Sequence, residues 1–356
     1  MINIDDPSKL EEFDKGKMFT SIRNIPDQME QAWNEVDKLE IPKSYSEIEN
    51  IVFCGMGGSA LGGRIIDSLT TSTIRVPFEI FTEYNLPNYV NNKTLVILSS
   101  YSGNTEETLN CAHEAVNKNA KIIGITTGGK LADFLDKQKL LSYVFIPKSN
   151  ISNQPRMALG YSVAGVLKFL TKLGLYDLNI EDFYEICTFA RKRILTYDTL
   201  VKTDENMSKK LASKFYHKSV ILISSEFLYG VTHAVKNQIN ENSKTFSAIF
   251  DIPEINHHLM EGLRFPNKLR EVIKFLFISS DIYKSRISKV HKITKDVIEK
   301  NGYEVVTFNP EGNIKSHQII DTLIFGAFFA IYLAFLYEID PTPIPWVDYF
   351  KEELSK

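Results

Sequence analysis

The sequence predicts an α/β protein built from two tandem domains, each a parallel β-sheet flanked by helices in three αβα layers. Two observations carry this. Short apolar runs alternate with amphipathic helical stretches, the pattern of βαβ units whose strands are buried on both faces. The same order of runs then occurs a second time, which points to a duplicated architecture.

In the first half the strand-like runs are IVFCG from Ile51, Val76–Phe81, TLVILSS from Thr94 and KIIGIT from Lys121. The stretch Thr105–Asn117 places Leu109, Ala112, Ala115 and Val116 on one helical face and fills a crossover between strands. The second half repeats the scheme with VILISS from Val220, IKFLFISS from Ile273 and YEVVTF from Tyr303. Ser288–Lys300, with Val290, Ile293, Val297 and Ile298 on one face, fills the corresponding crossover. Between the halves, about Tyr176–Lys210 reads as helical and charged, so the expected domains are 1–175 and 176–356. Thr322–Tyr337 carries no charge, but a helix of that length reaches about 24 Å, short of the roughly 30 Å hydrocarbon core. It is expected to be buried in a core or a subunit interface rather than in a membrane.

Composition narrows the function classes. The 356 residues are 44% apolar and 24% charged, enough for two cores of ordinary size. A net charge of -3 gives no basic footprint for nucleic acid or an anionic membrane surface. Cys54, Cys111 and Cys187 show no CxxC spacing and cannot all pair, which fits a reducing cytoplasm and argues against disulfides or a cysteine-built zinc site. The charged opening MINIDDPSKLEEFDKGK has no apolar core of the kind a signal peptide needs.

Two loops rich in Gly, Ser and Thr are the most informative segments. Gly55-Met-Gly57-Gly58-Ser59-Ala60 follows the first strand, and Ser99-Ser100-Tyr-Ser102-Gly103-Asn-Thr105 follows the run from Thr94; each opens a helix. Backbone N–H groups and hydroxyls gathered at helix N-termini hold small anions, most often phosphate. Gly58–Gly63 has P-loop spacing, but Arg64-Ile65 stands where Lys-Ser/Thr is required. Gly55-x-Gly57-x-x-Ala60 fits a permissive dinucleotide fingerprint, with Glu83 after the next strand as a ribose-binding acid. The three hydroxyls of the second loop favour a terminal phosphate monoester over a pyrophosphate, since a monoester can be wrapped by two loops. Tight turns whose hydroxyls merely cap helices are the plain alternative for either loop alone. In the second half the corresponding segments read SSEFLYG and SSDIYKS, so only the first half keeps the glycine-rich cradle.

The paired loops CGMGGSALGG and SSYSGNTEET resemble the sugar isomerase (SIS) domain. From about Ile51 onward the tandem arrangement resembles the bifunctional phosphoglucose/phosphomannose isomerase family. That resemblance implies a SIS fold with a five-stranded parallel sheet in each half. It also implies a phosphosugar substrate and aldose–ketose isomerisation through a cis-enediol(ate), without metal or cofactor. Gly57, Gly58, Ser59, Ser100, Ser102 and Thr105 would hold the phosphate. Glu241 would be the base, and Arg156 would stabilise the enediolate. Lys351 would assist ring opening, and Thr342 would bear on acceptance of the mannose epimer. Asn256-His257 matches the family's Asn-His pair, with His258 adjacent; the resemblance implies a homodimer in which His257 reaches the neighbouring active site.

Without the family, Glu241 reads as a solvated charge at a helix end and Lys351 as a solvated lysine. Arg156 is expected near a helix start, where a cation opposes the dipole unless an anion compensates or a loop carboxylate pairs with it. A sugar-phosphate sensor and a nicotinamide-dependent dehydrogenase are the competing classes. A sensor has no need of Glu241, His257, Arg156 and Lys351 together. A dehydrogenase would rest on the Gly55 loop and Glu83.

Overall fold

The computed structural model describes residues 2–354 and 356. It divides into two compact units, one of Asn24–Ala190 with Tyr229–Ala234, the other of Met1–Arg23, Arg191–Leu228 and Val235–Lys356.

The first unit contains α1 (Ile25–Asp37), β1 (Asn50–Gly55), α2 (Gly58–Thr70), β2 (Phe78–Phe81), β3 (Thr94–Ser100), α3 (Glu106–Asn117), β4 (Lys121–Thr126), α4 (Gly129–Lys137), β5 (Leu141–Val144) and α5 (Leu159–Lys172). Its five strands are all parallel, in the order β2-β1-β3-β4-β5. Every residue of the central β3 is buried, which is why its sequence is a continuous apolar run rather than an alternating one. Alternate residues still face opposite layers. Val52, Cys54, Val96, Leu98 and Ile122 meet α3 and α4 through Cys111, Ala112, Ala115, Leu131 and Leu135. Phe53 points the other way, against Gly63 of α2.

In the chain, α6 (Ile180–Tyr197) spans the division between units. Then follow α7 (Met207–Phe215), β6 (Ser219–Ser224), α8 (Tyr229–Asn242), β7 (Ser247–Asp251), β8 (Ile273–Ile278), α9 (Ser285–Lys300), β9 (Glu304–Phe308), α10 (Lys315–Leu336) and α11 (Pro345–Leu354). The second sheet is parallel in the order β7-β6-β8-β9. Among the described residues it has four strands, where the resemblance implied five. After β9 the chain enters the long helix α10 and adds no further strand among those residues.

Helix α10 is the core of the second unit. It is buried from Gln318 through Leu336, and the whole of its most apolar window lies inside the protein. A helix apolar all round belongs in a core or a membrane; here protein covers every face. The Phe325 ring stacks on Phe308 of β9 at 3.7 Å, and Phe329 meets Phe215 of α7 edge-on. Residues up to Arg23 return to this core: Phe19 packs on Phe328 and Tyr332, and Arg23 Nε donates to Asp198 at 2.8 Å. Near the start of α10, buried Asp321 accepts from Arg193 Nε at 2.7 Å, from the Tyr197 hydroxyl at 3.0 Å and from the Glu311 amide at 2.7 Å.

A second buried polar group joins the ends of β6 and β8. His291 Nε2 lies 2.7 Å from Ser225 Oγ, and Nδ1 lies 3.1 Å from Ser279 Oγ. Because Ser225 Oγ donates its proton to the Ile252 carbonyl, it accepts from Nε2–H, and Nδ1 accepts from the Ser279 hydroxyl. The ring is therefore neutral, and burial pulls its pKa down to about 4.

Asp321→Ala leaves Arg193 without its buried anion and is expected to cost about 3–5 kcal/mol in denaturant unfolding. The unfolded chain binds a proton at His291 near pH 6.5 and the folded chain only near pH 4. Stability from this residue is thus present above pH 6.5 and is lost as pH falls through about 4. His291→Asn should flatten the stability–pH curve in that window by up to about 3 kcal/mol relative to the parent; identical slopes would exclude the assignment.

Candidate active site

The two glycine-rich loops meet at the carboxyl ends of β1 and β3, the crevice where open α/β sheets bind ligands. The Tyr101 amide donates to Ser59 Oγ at 2.9 Å, and the Ser99 hydroxyl donates to the Ser59 carbonyl at 2.9 Å. These bonds fuse the loops while leaving the Ser59 hydroxyl proton to be donated elsewhere. Ser100 Oγ and Thr105 Oγ1 lie 2.8 Å apart, and Ser102 Oγ, more exposed, accepts from the Asn104 amide.

Backbone geometry explains the glycines. Gly57 precedes α2 with φ of 50°, a left-handed conformation that other residues rarely adopt. At Gly103, φ is 69° and a Cβ would sit 1.8 Å from the Gly128 carbonyl oxygen, so the β3 and β4 loops could not approach with any other residue there. Thr105 stands at the N-cap of α3, yet its hydroxyl turns to Ser100; neither α2 nor α3 has a side-chain cap. Two uncapped helix N-termini beside these hydroxyls are an arrangement able to hold a small anion. With Glu106 and Glu107 in the first turn of α3, short-range hydrogen bonds rather than net charge would have to hold an anion there.

Arg156 lies in a short 3-10 turn, Pro155–Met157, just before α5. It is only 1% exposed, and its Nη1 donates to Gln154 Oε1 at 2.7 Å. The turn abuts the loop of β1: a Cβ on Gly58 would meet the Arg156 amide nitrogen and the Pro155 carbonyl carbon at 3.1 Å. Tyr101, which carries no signal in the sequence, joins the second loop to the same region. Its hydroxyl accepts from Asn150 Nδ2 at 3.0 Å and donates to Asn153 Oδ1 at 3.2 Å. A small, partly open cavity lined by Gly58, Ser59, Tyr101 and Pro155 measures only about 20 Å³, room for about one water molecule.

The other sequence-derived candidates belong to the second unit. Glu241 is half-buried in the last turn of α8. Lys244 Nζ donates to the Glu241 carbonyl at 2.6 Å and to the Pro341 carbonyl at 2.9 Å, tying this helix end to the segment that leads into α11. Thr342 follows in that segment and packs against Gly16. His257 ends a 3-10 turn, Glu254–His257, anchored where Asn256 Oδ1 accepts from the Thr294 hydroxyl at 2.8 Å; His257 and His258 are both exposed. Lys351 is exposed on α11, a helix with no buried residue. Thus Ser59, Ser100, Ser102, Thr105 and Arg156 are grouped in one unit, and Glu241 and the Thr342 segment are tied together in the other. The bridge made by Lys244 had no signal in the sequence beyond a lysine after a helix end.

Comparison with known proteins follows this division. The SIS domain profile matches residues 44–139, and the bacterial phospho-glucose isomerase C-terminal SIS domain profile matches residues 204–354. The bifunctional phosphoglucose/phosphomannose isomerase of Aquifex aeolicus is 29% identical over 92% of this chain and 97% of its own length. A hypothetical protein from Thermus thermophilus shares the fold, with a TM-score of 0.74 at 17% identity over 98% of this chain and 92% of its own. The Caldicellulosiruptor bescii protein of the same name as the Aquifex relative is 34% identical over 95% of this chain and 99% of its own. With both SIS domains matched and that degree of identity along almost its whole length, the chain belongs to the bifunctional phosphoglucose/phosphomannose isomerase family.

Proposed function

We propose that the protein interconverts glucose 6-phosphate and fructose 6-phosphate, and mannose 6-phosphate and fructose 6-phosphate, by proton transfer between C1 and C2 through a cis-enediol(ate). The observation that carries this reading is the fused pair of loops, in which Ser59, Ser100 and Thr105 converge beside two uncapped helix N-termini. Family membership supplies the phosphosugar that such a cradle would grip.

In this reading Gly57, Gly58, Ser59, Ser100, Ser102 and Thr105 hold the phosphate and so fix the far end of the sugar. Lys351 assists ring opening, which exposes the carbonyl, and His257 is a further catalytic side chain of the site. Glu241 removes the proton from one of the two carbons and returns it to the other. Arg156, held by Gln154, opposes the charge that develops on the enediolate oxygen. The intermediate is planar at C2, so its configuration is erased, and the face reprotonated decides between the glucose and mannose epimers. Contacts from the Thr342 segment bear on that choice. The chemistry uses side chains alone, with no metal or cofactor.

We further assign a homodimer in which His257 serves the neighbouring subunit's site. Its support is α11, whose Trp346 is 82% exposed and Phe350 63% exposed, with Tyr349 exposed between them. An apolar face of this size on the surface calls for a partner, and a second copy is the partner that would bring His257 in trans. Three buried free cysteines agree with a reducing cytoplasmic setting.

Fructose 6-phosphate incubated with the protein after chelation should yield both glucose and mannose 6-phosphates; no conversion to either would refute the activity. Glu241→Gln should still bind fructose 6-phosphate but lose about 10²–10⁴-fold in kcat, and parental turnover would remove Glu241 from the role of base. Trp346→Glu should give monomers in sedimentation together with loss of turnover. Active monomers would contradict the shared-site arrangement.

A further inference from the structure

The second unit holds a cleft of about 380 Å³ between α9 and the carboxyl ends of β8 and β9. Its volume falls within the range of small-molecule sites, and its lining mixes the rings of Phe277 and Tyr283 with polar and charged side chains. Ser288, His291, Lys292 and Lys295 present one face of α9 to it at helical spacing; Ser279, Asp281 and Thr307 face them from the strand ends. Lys295 Nζ donates to Thr307 Oγ1 at 3.0 Å, which fixes one ammonium group on the wall with two N–H bonds still to give. The Ser279 proton is committed to His291, so its oxygen offers lone pairs to the cleft.

Position and charge both matter here. Ser279-Ser280 follow β8 as Ser99-Ser100 close β3, and α9 is the crossover after that strand as α3 is in the first unit. The two crossovers carry opposite charge. Helix α3 opens with Glu106 and Glu107, whereas Lys284, Arg286, Lys289, Lys292 and Lys295 all precede the first acid of α9, Asp296. Lys284 and Arg286 stand at the positive end of the helix dipole, which disfavours cations, whereas Lys292 and Lys295 reach the cleft from the middle of α9. The second unit has thus lost the backbone cradle at this place but carries ammonium groups and hydroxyls around an open volume.

We propose that this cleft is a second ligand site, separate from the first unit's cradle, that takes the phosphate monoester of a small polyol. Lys292 and Lys295 meet the phosphoryl dianion, Ser288 donates to it, and Asp281 and the Ser279 oxygen accept from the polyol hydroxyls.

Sorbitol 6-phosphate, which has no carbonyl and cannot be isomerised, is a suitable probe. Calorimetric titration of the full chain should show one more equivalent bound per chain than in the Lys292→Met/Lys295→Met variant. Ser288→Trp, which fills the cleft from an exposed helix position, should lose the same equivalent, and both variants should keep fructose 6-phosphate turnover within about twofold of the parent. Inorganic phosphate in tenfold excess should displace that equivalent. Equal stoichiometry in the parent and either folded variant overturns the site, and an equivalent indifferent to inorganic phosphate overturns the phosphate assignment. Because the readout is a difference between chains, it stands apart from whether the protein turns over fructose 6-phosphate.

Discussion

One hydrogen bond sets the geometry of the first unit's ligand face: the amide of Tyr101 on the hydroxyl of Ser59. It makes two loops from different strands into one surface, so their hydroxyls converge instead of capping their own helices. Thr105, which would ordinarily cap α3, turns instead to Ser100 within its own loop, and the helix terminus keeps N–H groups that an anion could accept from. The loop after β3 is held on its other side by the close approach of Gly103 to the Gly128 carbonyl, and Gly57 makes the left-handed turn into α2.

The duplicated sheet was legible because parallel strands buried on both faces leave short continuous apolar runs, which their length and flanking turn residues distinguish from helices. β1, β3, β4, β6 and β8 all carry such runs. The edge strands β2 and β9 were also read, but β5 and β7 were not: β5 is the four-residue LSYV with Val144 exposed, and β7, SAIFD, is only partly buried past its first residue. The second sheet's fourth and last described strand is β9 because the residues after it favour burial as a helix. That choice follows from the near-total apolarity of α10, which leaves no polar face to place against solvent.

Of the candidate site, the serine loops could be read directly, since Gly, Ser and Thr at a strand-to-helix turn have few other uses. Arg156 carried a weaker local signal, a cation close to a helix start, and it is buried against Gln154. Glu241, His257 and Lys351 had none that separates them from ordinary surface charges, because a single ionisable residue announces nothing about what lies opposite it. Tyr101 and Lys244 act through groups distant in sequence, and pairings of that kind leave no periodic trace.

The order of the chain within the second unit has a consequence for biosynthesis. Phe19 and Arg23 find partners in Phe328, Tyr332 and Asp198, all far along the chain. During translation these early residues emerge long before α10 exists, whereas most of the first unit, Asn24–Ala190, is complete as a contiguous stretch. Non-local pairing of this kind carries a loop-closure cost before any contact rewards it, and domains form as units in the order they leave the ribosome. The first unit therefore folds with an unanchored leader, and the second closes only when its central helix arrives to receive it.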